Sequence, residues 1–291
     1  MAERNLYEPL TWNNKPARLT PINSARLTHI EDGVQEAANN RALKEVYDDM
    51  AINLGRTEET DIGEYSSSMG FNLVASGACS HAEGTGSTAS GTAAHAEGNA
   101  TTASGYHAHA EGYKTTASKD GTHAEGGETS ASGSASHAEG YRTEASGSNA
   151  HAEGNGTTAS ASFSHSEGIN TTASGTGSHA EGSGTEAKDS YTHAEGAGTV
   201  AAKLAGHAEG YETKALGQYA HSEGWGTEAT GICSHSEGKS TKAGSYGHAE
   251  GMNTEADGMG AHSEGDRTKG TGGYSHAEGA QTEASGRTAH A

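Results

Sequence analysis

The chain has 291 residues, of which only 31% are hydrophobic and 5% aromatic, with 44 Gly and two Phe, and this argues against an ordinary globular core. Such a composition leaves either disorder or a repeat architecture in which backbone ladders replace a core. The formal net charge of −20 disfavours nucleic acid and anionic membrane as partners, because phosphate binding relies on clustered Lys and Arg, and no apolar run reaches the length of a membrane helix.

The first 19 residues read as extended and carry no signal-peptide hydrophobic region. Tyr7, Leu10 and Trp12 are candidate anchors through which this stretch would dock onto a particle. Residues 20–55 are predicted to be helical. Thr20 can cap the N-terminus, Pro21 fits the first helical position, and Leu27, Ile30, Val34 and Ala37 recur at spacings of three and four. After Asn39 and Asn40 the phase shifts, and Leu43, Val46 and Met50 continue a second stripe that ends near Gly55. The stretch Leu19 to Asn40 resembles the Thr-Pro-Ile-Asn-Ala…Leu…Glu-x-Gly segment common in phage baseplate and tail-fibre proteins. That resemblance implies a short trimeric helical coiled-coil segment near a virion attachment point. Residues 56–66 read as a linker.

From residue 67 the chain is repetitive. The tetrad His-Ala/Ser-Glu-Gly begins at His81 and recurs every 14 residues to His235; one step of 13 leads to His248, and the 14-residue step resumes to His290. Numbered from its His, each unit has Gly at position 4, Thr at position 7 (Ser87 excepted), Ala at position 9 (Gly270 excepted) and usually Gly at position 11. The residue preceding each His is always Ser, Ala, Thr or Gly. A fixed unit of this length predicts one coil of a parallel β-solenoid, with two short strands and turns near positions 4 to 6 and 11 to 13, where Gly tolerates unusual backbone angles. Alternation along the strands puts positions 14, 2, 7 and 9 inside the coil, and positions 1, 3 and 8 outside. The unit at residues 67–80 keeps the Gly and Ala phase but replaces the tetrad and adds Phe71, Leu73 and Val74, as a capping coil would.

His and Glu therefore point outward yet do not vary, whereas position 8 does. The expectation is that this face is buried against other copies of the chain. His81, Glu83, His95, Glu97, His109, Glu111, His123, Glu125, His137, Glu139, His151 and Glu153, with their later equivalents, are the candidate inter-chain ladder. A coil lined with Ala, Gly, Ser and Thr buries little apolar area, and association would supply the rest. The His-x-Glu pairs also match metal-ligand types, but hydrogen bonding is the expected role, and no metal or other cofactor is assigned. Nothing in the repeats resembles a catalytic motif, and catalysis needs distinct residues placed once, so a non-enzymatic protein is expected. Cys79 and Cys233 lie far apart in the array and are not expected to pair.

The unit Ser136 to Asn149 (SHAEG-x-x-T-x-A-S-G-x-x) resembles the head repeats of YadA-type trimeric adhesins, and the resemblance covers residues 67–291. It implies 14-residue coils in a left-handed parallel β-roll with three chains to a rod. Here Ala and Glu stand where that family usually has Val and Ile. The two resemblances together lead to a homotrimeric tail fibre of a phage or phage-like particle. Its N-terminus would hold baseplate or tail proteins. The sequence ends two residues into a repeat, so the natural protein is expected to continue to a C-terminal tip that binds a host-surface glycan or protein. It would be made in the host cytoplasm and work on the virion tail, outside the cell. The alternatives are a secreted bacterial trimeric adhesin head and an ice-binding solenoid. Exposed turn aromatics (Tyr113, Tyr141, Tyr211, Trp225, Phe163, Tyr191, Tyr219, Tyr274) are candidates for sugar stacking along the shaft.

Overall fold

The structure, a computed structural model, describes residues 52–56 and 62–291. The extended segment with Tyr7, Leu10 and Trp12, and the helical segment up to residue 51, lie outside the described residues. What is described is an all-β parallel solenoid. Strands β1 (Ile52–Arg56) and β2 (Ser67–Ala75) begin it. Each later coil contributes a five-residue strand and a two-residue strand, from β3 (His81–Thr85) and β4 (Thr88–Ala89) to β31 (His276–Ala280) and β32 (Glu283–Ala284).

Two parallel ladders run along the rod. Long strands pair in register, so that His137 lies beside His123 and His151, and Glu139 beside Glu125 and Glu153. Short strands do the same, with Ser130 between Thr116 and Glu144. Hydrogen bonds between coils continue beyond the strands, for example His95 N–H to Ala108 C=O at 2.9 Å and Thr102 N–H to Thr115 C=O at 2.9 Å. The identical units thus complete one another's backbone pairing.

The inward positions are as the alternation requires. Ala82, Ala89, Ala96 and Ala103 are fully buried, as are Thr101 and Thr115, while the residues preceding each His, such as Ser80 and Ala94, are nearly so. The interior is a column of Ala flanked by Thr and Ser hydroxyls. At the N-terminal end Leu73 fills the Thr position and is fully buried, so the capping coil closes the column with a larger apolar side chain. Its other bulky groups, Phe71 and Met69, are exposed.

Three expectations need correction. The predicted helix does not reach residue 55: Ile52–Arg56 is a strand, pairing Ile52 with Ser67 and Leu54 with Met69. The free edge of β2 offers unpaired backbone donors and acceptors, and an extended segment satisfies them. Part of the presumed linker belongs to the solenoid as well, since Gly63 N–H donates to Ala75 C=O and Ser66 is buried. Finally, the position-4 Gly is not in a turn. The long strand passes through it, and the corner falls at position 6, where Ala100, Lys114 and Arg142 have φ of 57°, 54° and 55°. The second corner is at position 13, as at Ala93 and His107. The 13-residue unit loses one residue in this second turn, and the register recovers, with His235 beside His248 and Lys242 beside Glu255.

Candidate functional site

The invariant outward face is built by the long strands. Every coil presents its His and Glu on one side, and in-register stacking puts each ring above the next at centroid distances such as 4.8 Å for His95–His109 and 4.6 Å for His123–His137. The result is one continuous column of imidazoles from His81 to His290. Most neighbouring rings are stacked; His165 is within 3° of parallel to both His151 and His179.

The carboxylates flank this column. Within each of the expected ladder pairs, His Nε2 lies near Glu Oε2: His81–Glu83 at 3.4 Å, His95–Glu97 and His109–Glu111 at 3.7 Å, His123–Glu125 at 3.8 Å, His137–Glu139 at 3.6 Å and His151–Glu153 at 3.9 Å. The structure therefore brings these six pairs together, along one strand of one chain. Only His81–Glu83 has hydrogen-bond geometry. His81 also shares a 2.5 Å hydrogen bond between its Nδ1 and the Ser67 hydroxyl of the capping coil. In the following coils Nε2 is shut off from water and has no hydrogen-bond partner, from His95 through His276. Within one chain this hydrogen bond forms at the first pair and not along the column; the expected ladder joins different copies of the chain.

Burial within the column pushes the imidazoles of His109, His137, His165, His179, His207 and His262 below the ordinary histidine range. The neighbouring rings add to this: for His109 these are His123 and His95, while Glu111 and Glu97 pull the other way. These rings are neutral at pH 7, with a lone pair on one nitrogen available as acceptor or ligand.

At four places among the described residues a His, its Glu and the next coil's His bring their ligand atoms within 4.8 Å of one another. These are His221/Glu223/His235, His235/Glu237/His248, His262/Glu264/His276 and His276/Glu278/His290. The sequence shows the His-x-Glu pairs, but it cannot show that the third ligand comes from one coil further on.

The rest of the surface is ordinary. Ion pairs link successive coils, including Arg142–Glu128 at 2.8 Å and Lys214–Glu228 at 2.8 Å, and exposed pairs of this kind contribute little each. The turn aromatics are exposed at both corners. Most stand apart. Tyr211 and Trp225 meet edge-on at 6.3 Å, with the Lys239 ammonium 3.9 Å from the Trp225 ring centre. Cys79 and Cys233 are both free and exposed, at corners of different coils. Among the described residues no helix is long and apolar enough to cross a membrane. Comparison of the sequence with known protein families and with curated proteins finds no match to either.

Proposed function

We propose that the chain is a structural and adhesive fibre: a homotrimer on the tail of a phage or phage-like particle, held by its N-terminus, whose solenoid shaft projects toward a host cell surface. The observation that carries this reading is the contrast between two outward faces of the same coil. Position 8 changes from Thr116 to Ser130 to Glu144 without consequence for the ladder. The His and Glu face repeats unchanged over the whole rod, and from His95 to His276 its Nε2 atoms lack hydrogen-bond partners within one chain. Buried polar atoms ordinarily find partners, and a second and third copy packed along this face would provide them.

Other features support a passive rod. The core is largely Ala, so a lone solenoid buries little apolar area. The same side chains occur at the same place in coil after coil, which suits a spacer and an extended contact surface better than a catalyst. The resemblances to phage tail-fibre segments and to YadA-type head repeats point the same way. The ice-binding alternative needs a flat exposed Thr face. The constant Thr row, represented by Thr101, Thr115 and Thr157, is buried in the coil interior instead.

Light scattering on the full chain tests the trimer. The expected solution mass is three times 29.4 kDa. Replacing Glu139, Glu153 and Glu167 together by Ala should shift that mass toward one chain. A single-chain mass for the unmodified protein would overturn the fibre reading.

A further inference from the structure

We propose that the imidazole column binds Zn²⁺ in sites formed within one chain, each from the His and Glu of one coil and the His of the next. Zinc binds imidazole nitrogen and carboxylate oxygen at about 2.0–2.2 Å, so two ligand atoms in a tetrahedral shell stand roughly 3.4 Å apart. The His Nε2 to Glu Oε2 separations are already close to this: 3.4 Å at His221/Glu223, 3.7 Å at His235/Glu237, 3.7 Å at His262/Glu264 and 3.8 Å at His276/Glu278. The third ligand lies within 4.8 Å of the other two in each group. At the last group both rings face the same oxygen, with His290 Nε2 3.9 Å from Glu278 Oε2.

A second observation points to a ligand independently of these distances. The Nε2 atoms of His221, His235, His248, His262 and His276 are shielded from water and have no hydrogen-bond partner. The carboxylates beside His235, His262 and His276 lie 3.7–3.8 Å away, too far for a good hydrogen bond, and the stacked rings of His221, His235 and His248 must turn for two in-plane lone pairs to meet one ion. Two nitrogen donors and one oxygen select a borderline metal such as Zn²⁺ over Ca²⁺ or Mg²⁺, which take oxygen shells. Three protein ligands leave a fourth position for water.

The stacking also sets the stoichiometry. His235 belongs to two of the four groups and His276 to two others. With one nitrogen engaged per ring, adjacent groups exclude each other, and the stretch from His221 to His290 holds two ions at a time. Backbone ladders complete the fold without metal, so a chelator removes the ions and leaves the rod. The ligand set comes from one chain, and the unpartnered Nε2 atoms are the same ones the trimer reading invokes, so an ion at these coils takes the place of a contact from another copy.

The test is equilibrium dialysis of the full chain against ZnCl₂ at micromolar free Zn²⁺, with retained metal counted per chain. The double variant His235→Gln/His276→Gln should retain two fewer ions than the unmodified chain. His107→Gln, a histidine at a corner away from the column, should retain the full number. Glu237→Gln/Glu278→Gln, which keeps the size of both side chains, should also lower retention, and far-UV circular dichroism of each variant checks that the solenoid persists. No retained Zn²⁺ in the unmodified chain, or equal retention in the folded double variant, would overturn the proposal.

Discussion

The most constrained residue of the unit is the position-4 Gly, and the reason is the coil above it. Gly140 has φ of +112°, and a Cβ there would lie 2.1 Å from the Gly154 carbonyl oxygen. Both the backbone angle and the stacking distance forbid a side chain. Gly184 is a useful contrast: its φ is +64°, but nothing lies within 4 Å of the added carbon, and Ala100 occupies the same corner in another coil. Gly140→Ala should therefore cost more than about 3 kcal/mol, and Gly184→Ala only about 1 kcal/mol, the ordinary penalty of a left-handed residue. Thermal melting followed by circular dichroism separates the two, and equal shifts would remove the stacking argument. The period made this Gly visible as an invariant. Its placement in a turn was an error of cause, because close approach between coils requires Gly as firmly as a corner does, and one coil's sequence contains no sign of its neighbour's carbonyl.

Within a coil, the pairing of positions 2 and 7 decides how the interior polar atoms are satisfied. In three of the four His-bearing coils with Ser at position 2, its hydroxyl meets the Thr hydroxyl: Ser166–Thr171 and Ser222–Thr227 at 2.8 Å, Ser236–Thr241 at 2.7 Å; Ser263 instead donates to Glu255 C=O, and Thr268 is left without a partner. Where position 2 is Ala, as at Ala152, the facing Thr157 hydroxyl is buried without a partner. Leaving a buried hydroxyl unpaired costs about 1–3 kcal/mol, so Ser236→Ala should lower the melting temperature, while Ala152→Ser should raise it by giving Thr157 a partner. A neutral result for both would mean that water or slight coil adjustment already satisfies the Thr row. Alternation by two made the inward direction of these positions readable. The pairing itself was not readable, because it joins two strands across the coil interior, five residues apart in sequence.

Over the whole molecule the solenoid behaves as a stack of interchangeable units. The 13-residue unit already shows that a turn absorbs one missing residue while His235 and His248 stay in register. Removing residues 151–164 takes out one entire coil and should leave a folded rod with a melting temperature within a few degrees of the original. Removing residues 151–157 takes out half a coil and sets a short strand against the long-strand ladder, which should abolish cooperative melting. Comparable behaviour of the two deletions would contradict nearest-neighbour stacking as the source of stability.

The sequence by itself determined the coil length, the inward and outward faces and the absence of a conventional core, because all of these follow from period and alternation within a single unit. Only the tertiary structure decided where the corners fall, that β1 extends the ladder at residues 52–56, and that His221, Glu223 and His235 converge. Those features depend on how far apart successive coils stack, about 4.8 Å, and that distance is set between units rather than within one.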